Sequence, residues 1–152
     1  MNPQARSNRI VVGVDGSEYS SNTLQMAGRM ASTLGGPLDV ITCIGMSDYF
    51  LASRFEPDLT RFTTELEDTA KRLVDEALER AFGADPPKDL TVTVKFGDPA
   101  KVLVEESHEA QLLVVGRRGS GGFLNQPIGS VSRACAAHAH CPVLVVAQEA
   151  TG

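Results

Sequence analysis

Gly116, Gly119, Gly129 and Ser130 are the residues whose types and spacing could do chemistry in this chain. They run glycine, two residues, glycine, nine residues, then glycine-serine. All lie in VGRRGSGGFLNQPIGSVS, from Val115 to Ser132, between a short apolar run at Gln111–Val115 and a helical pattern opening at Gly129-Ser130. A glycine-rich turn from strand to helix brings backbone N–H groups close to an anion, and the helix dipole favours negative charge there. Segment 111–133 adds three arginines and no acidic residue. That chemistry is a phosphate cradle. Glycines also serve simply to make tight turns, and neither common nucleotide fingerprint is present. No Gly-Lys-Ser/Thr follows as in a P-loop, and no GxGxxG follows the first strand.

Charge supports a small anionic ligand over a large one. The chain carries a formal −5, and with +3 in segment 111–133 the remainder carries −8. An acidic body is a poor binder of nucleic acid or membrane surfaces. At 152 residues, 1–152 reads as one domain. No apolar run is long enough to span a bilayer. The start, MNPQARSNR, lacks the apolar stretch of a secretory signal, so the expected setting is cytoplasmic. The odd count of cysteines, Cys43, Cys135 and Cys141, contains no CxxC pair and reads as buried thiols. With His138 and His140 they fit no standard zinc spacing, and no metal ligand is assigned.

The elements that must position the glycine segment alternate strand and helix. Arg9–Asp15, RIVVGVD, is an apolar strand ending in the Asp15-Gly16-Ser17 turn, which reads as a helix cap. Leu24, Ala27, Ala31 and Leu34 recur at helical spacing until Gly35-Gly36. Leu38–Ile44 is a second strand, and Gly45–Asp58 reads as a long loop. Phe62, Leu66, Ala70, Leu73, Ala77 and Ala81 mark one face of a long helix ending near Phe82. Leu90–Phe96 alternates apolar and polar residues, as a half-exposed edge strand does. Asp98-Pro99 caps a short helix to about Glu109. Strand Gln111–Val115, a helix from Ser130 to about Ala139 and strand Pro142–Ala147 complete the chain. The pattern β-α-β-α-β-α-β-α-β predicts a parallel sheet with helices on both faces. Ligands of such sheets bind beyond the carboxyl ends of the strands, where strand order reverses. With strands one and four as central neighbours, Asp15 and the Gly116 segment meet there.

Three stretches, RIVVGVDGSEYS, GDPAKVLVEESHEAQLLVVGRRGSGGF and GSVSRACAAHAHCPVLVV, resemble the universal stress protein family. The resemblance runs from about Arg9 to Ala147 and includes the Gly-x2-Gly-x9-Gly-Ser signature of ATP-binding members. It implies a single Rossmann-like α/β domain, an open parallel five-stranded sheet in order 3-2-1-4-5, and a homodimer. Carried over by position, Asp15 contacts the ribose or adenine edge, and backbone near Val14 and Cys43 lines the adenine pocket. Val115 and Gly116 sit beside the ribose. Arg118, Gly119, Gly129, Ser130, Val131 and Ser132 surround the phosphates, with Ser130 and Ser132 adding hydroxyl donors. Any Mg²⁺ is held mainly by phosphate oxygens and water.

Other readings stand beside these. Asp15 also serves as a cap for the first helix. Arg117 reads as a solvated loop cation, a phosphate role being weaker for it than for Arg118, and His138, following Val131, Ala134 and Cys135 at helical spacing, as a packed structural histidine. Asn125-Gln126-Pro127 fills part of an interval that is often small and apolar in the family. No HExxH, GxSxG or paired catalytic carboxylate motif is present, and no catalytic residue is assigned. The expectation is a nucleotide-dependent stress-response regulator that binds ATP, through ordering of the Gly116–Gly129 loop. The alternatives are a slow ATPase or phosphotransferase, and a dimeric module binding AMP, a cyclic nucleotide or no nucleotide. The final strand, Pro142–Ala147, is apolar and at a sheet edge, so a second copy is expected to cover it.

Overall fold

A computed structural model describes residues 7–17, 19–117 and 128–147, except for the side chains of Ser47, Asp48 and Ala52. Arg118, Gly119 and Asn125-Gln126-Pro127 lie outside the described residues. In chain order the elements are β1 (Ile10–Gly13), α1 (Ser20–Leu34), β2 (Leu38–Ile44), α2 (Met46–Ser53) and α3 (Leu59–Phe82). Then come β3 (Leu90–Phe96), α4 (Pro99–Glu106), a 3₁₀ turn (Ser107–Glu109), β4 (Leu112–Gly116), α5 (Ser130–His138) and β5 (Val143–Val146). The five strands form one parallel sheet in the order β3-β2-β1-β4-β5. This is the expected Rossmann-like arrangement, with β3 and β5 at the edges.

Side chains alternate across a strand, so each strand feeds two layers. Ile10, Val12, Leu38, Val40, Val114 and Val146 face Leu24, Ala27 and Ala31 of α1 and Val74 and Ala77 of α3. Val11, Ile41, Leu113 and Val115 face Leu103 of α4 and Cys135 of α5. Each fully buried Val, Leu or Ile contributes roughly 1.5–3 kcal/mol before the entropy of ordering it. The near-continuous apolar runs of β1 and β4 follow from burial on both faces.

Polar residues also cross the second layer. Arg9 Nη2 lies 2.5 Å from Asp39 Oδ2 and 2.8 Å from Glu106 Oε2, while Lys95 pairs with Glu106 Oε1. Thr93 Oγ1 donates to Asp39 Oδ1 at 3.1 Å. The network ties β1, β2, β3 and α4 together where the sheet runs toward its β3 edge. Burial alone would raise the Glu106 carboxyl. The hydrogen bonds from Lys95 and Arg9 outweigh it and hold the group below its ordinary 4.5.

Several boundaries and faces differ from expectation. Met46–Ser53 is helical rather than loop, because Tyr49 packs its ring against Phe62 and Phe96, with centroids 5.7 and 5.5 Å apart. In α3 the deep positions are Val74 and Ala77, whereas Leu73 is exposed. A 3.6-residue period from Ala70 reaches Val74, one residue past Leu73, and then Ala77. Asp98 caps α4 as predicted, accepting from the Lys101 amide at 3.1 Å with Pro99 in the first turn. The helix ends at Glu106, and the 3₁₀ turn takes the chain on to Glu109.

Candidate functional site

The site begins where β1 and β4 end. Gly13 pairs in register with Val115, and the Val14 amide donates to the Ile41 carbonyl at 3.0 Å. From this point β1 leads out to β2 on one side and β4 to β5 on the other. Strand order reverses here, the place at which open parallel sheets bind ligands beyond the carboxyl ends of their strands. Val14, Asp15, Val115 and Gly116 all lie on or just beyond that edge, as the sequence reading requires. Cys43, near the carboxyl end of β2, is half-buried one strand away.

The β1 side is a tight turn. Asp15 is exposed, and its Oδ1 accepts from the Ser17 amide at 2.9 Å and the Ser20 hydroxyl at 3.3 Å. Asp15 thus holds the turn that precedes α1 and does not occupy the helix's cap position. The formal cap position of α1 is Tyr19, which makes no side-chain cap bond. Gly16 has φ +76°, and a Cβ there would lie 3.0 Å from Leu73 Cβ. Glycine supplies both the left-handed turn and the clearance under α3.

The β4 side joins α5 directly. The Arg117 amide donates to Val146 O at 2.8 Å, and the Gly129 amide to Arg117 O at 2.6 Å. Ser132 Oγ donates to Gly116 O. These bonds set the first turn of α5 against the end of β4. The first intrahelical bond of α5 runs from the Arg133 amide to Gly129 O at 3.0 Å. The helix thus leaves the amides of Ser130, Val131 and Ser132 for other acceptors, in the field of its own dipole. Ser130 is exposed, whereas Ser132 is buried. The expected pair of hydroxyl donors is therefore divided, because the Ser132 hydrogen is committed to the Gly116 carbonyl.

Arg117 as a whole is half-buried, and its Nε is buried without a hydrogen-bond partner, as is Ser17 Oγ. Sequence reasoning also passed over Ser17 and Ser20. The D-G-S triplet signalled a turn but not which oxygens it would occupy.

The remaining nucleophile candidates lie away from this chemistry or are inert. Burial, then the nearby Asp98 carboxylate, pushes the Cys43 thiol up to about 11. Burial, with Cys141 beside it, does the same for Cys135, again to about 11. Neither is a thiolate nucleophile at neutral pH. His108 and His140 stack with ring centroids 3.6 Å apart, ahead of β4 and β5 at the opposite end of the sheet. His138 is exposed, not packed; it is the last residue of α5, and Ala139 takes the place against the core. Among the described residues no group of three or more His, Cys, Asp and Glu could hold a metal ion, and no helix is long and apolar enough to cross a membrane.

Residues 7–147 match the model of the universal stress protein family. A universal stress protein of Mycobacterium tuberculosis (strain ATCC 25618 / H37Rv) is 32% identical over 147 residues, covering 92% of this chain and 48% of the relative. The chain spans about half the length of the curated relatives it matches. The solved structure of the universal stress protein UspA from Lactobacillus plantarum superposes with a TM-score of 0.72. It covers 94% of this chain and 99% of that one, and at 22% identity the likeness is one of fold. A universal stress protein crystallised in complex with cAMP superposes with a TM-score of 0.65 at 26% identity. It covers 95% of this chain and all 100% of that one.

Proposed function

The chain belongs to the universal stress protein family, and from that premise we propose that it binds an adenine nucleotide and acts as a stress-response regulator rather than a fast enzyme. The observation that carries this reading is the junction at the carboxyl edge. There the first-turn amides of α5, which have no i−4 carbonyl within the helix, are tied to the end of β4, which pairs with β1, the strand leading to Asp15. Such a junction presents N–H groups to an anion at one side of a crevice and a carboxylate to hydroxyl groups at the other. In this reading backbone near Val14 and Cys43 lines the base, Asp15, Val115 and Gly116 meet the ribose, and Gly129, Ser130, Val131 and Ser132 meet phosphate. Arg118 and Gly119 complete the phosphate side by their places in the Gly-x2-Gly-x9-Gly-Ser spacing.

ATP is the leading ligand on that spacing, with any Mg²⁺ carried by the phosphates. Cyclic AMP is the competitor, supported by the 26%-identical relative crystallised with it. The chain's own groups bind and orient; among the described residues no paired acid and base stands at the junction to activate water, and we place turnover at slow at most. A signal could leave through the Arg117 amide, whose bond to Val146 O links the end of β4 to the edge strand β5. We place a homodimer contact on that edge, Pro142 to Ala147, and the protein in the cytoplasm.

Calorimetric titration of nucleotide-free protein with Mg-ATP, AMP and cyclic AMP tests the proposal. Saturable binding near one per chain is the expected result, and the order of affinities separates ATP from the cyclic nucleotide. No heat with any of the three, and an unchanged melting temperature, would overturn it.

A further inference from the structure

Among the described residues, two side-chain polar atoms are buried with no hydrogen-bond partner, Ser17 Oγ and Arg117 Nε. Leaving a buried donor without a partner costs stability, and more when the group is charged. Folded proteins keep few such groups, and each asks for a reason. Elsewhere in this chain half-buried polar groups are served: Arg9 has two carboxylates, Lys95 has Glu106, and Thr93 has Asp39. Ser107 Oγ donates to Val104 O and accepts from the His140 amide.

The two exceptions share one place in the fold. Ser17 lies in the turn that follows β1, and Arg117 directly follows Gly116, the last residue of β4. These strands are neighbours, with Gly13 opposite Val115. Both orphaned atoms therefore belong to residues at the carboxyl edge of the two central strands. The backbone groups of these two residues are engaged. The Ser17 amide is taken by Asp15, and its carbonyl by the Ser20 amide. The Arg117 amide and carbonyl are taken by Val146 and Gly129. Only the side chains are left over.

We propose that Ser17 and Arg117 are ligand-contacting residues, Arg117 donating to a phosphate oxygen of the bound nucleotide and Ser17 hydrogen-bonding a ligand oxygen beside it. The inference rests on the nucleotide reading above. A guanidinium only donates, stays charged at every working pH, and matches the spacing of phosphate oxygens. Its own carbonyl accepts from Gly129, the cap of α5, so the cation is joined to a helix start that favours the same anion. In the ligand-free protein both groups carry the cost of burial without a partner. Turning each side chain onto the nucleotide relieves that cost only when ligand is bound, which adds to affinity.

Titration of the parent, Arg117→Gln, Arg117→Lys and Ser17→Ala with adenosine, AMP and ATP tests the assignment. Adenosine is the phosphate-free probe. Arg117→Gln should weaken AMP and ATP by about tenfold or more and leave adenosine unchanged. Arg117→Lys, which keeps the charge without the Nε donor, should fall between the two. Ser17→Ala should weaken AMP and ATP by about threefold to tenfold. Melting temperatures without nucleotide supply the second readout. Variants that melt differently yet bind AMP and ATP like the parent would make these groups structural and overturn the proposal. If the parent itself binds neither nucleotide, the family-based reading falls, and this inference falls with it.

Discussion

Ser132 donates its hydroxyl hydrogen to the Gly116 carbonyl, joining the first turn of α5 to the last residue of β4. The two residues are separated by the whole glycine segment, yet this bond, with that of the Gly129 amide to Arg117 O, holds the first turn of α5 against the strand end.

Ser132→Ala should therefore both loosen the junction and weaken nucleotide. The Gly116 carbonyl loses its side-chain donor, for an expected cost of about 1–2 kcal/mol in urea unfolding. Nucleotide affinity should fall several-fold in calorimetry, and Ser132→Thr, which keeps the hydroxyl, should stay near the parent. An alanine variant with parental affinity would show that the staple does not position the site.

Gly16→Ala tests the opposite wall. At φ +76° an L side chain is strained by roughly 1–2 kcal/mol, and its Cβ would press on Leu73 Cβ at 3.0 Å. Relief by shifting the turn would carry Asp15 and Ser17 with it. Lower thermal stability together with weaker nucleotide binding is expected. Lower stability with unchanged affinity would remove this turn from the site.

Acid sensitivity should trace to Glu106. Its carboxyl titrates below its ordinary 4.5 in the folded protein, because the hydrogen bonds from Lys95 and Arg9 outweigh the effect of burial. The folded state thus holds the proton less tightly than the unfolded chain. The resulting stabilisation is fully present above pH 4.5 and is lost as pH falls through the folded value. Glu106→Gln should cost about 1–3 kcal/mol at pH 7 and flatten the acid limb of a stability–pH curve from denaturant unfolding. An unchanged acid limb would assign that limb to other carboxylates.

The β5 edge should be covered in solution. Val143–Val146 is an apolar edge strand, and an uncovered strand of that kind is a template for pairing. Sedimentation across a hundredfold range of concentration should show a dimer that dissociates on dilution. A monomer throughout would mean that the edge is protected without a second copy.

The sequence by itself determined the strand count, the alternation with helices and the spacing of the glycines. Buried parallel strands and amphipathic helices leave local patterns of apolar residues, visible in Leu38–Ile44 and in the Asp98-Pro99 start of α4. Family resemblance supplied the strand order. What the tertiary structure decided depends on partners distant in the chain. Met46–Ser53 became a helix because Phe62 and Phe96 receive Tyr49. Leu73 left the core because the period of α3 brings Val74 onto it. The hydroxyl of Ser132 ties α5 to β4 because Gly116 O lies beside it. Arg117, a charged residue in a glycine-rich stretch, carries a buried Nε. Apolar periodicity is a property of neighbours in sequence, whereas the destination of a single hydrogen bond is set by which strands and helices come to lie side by side.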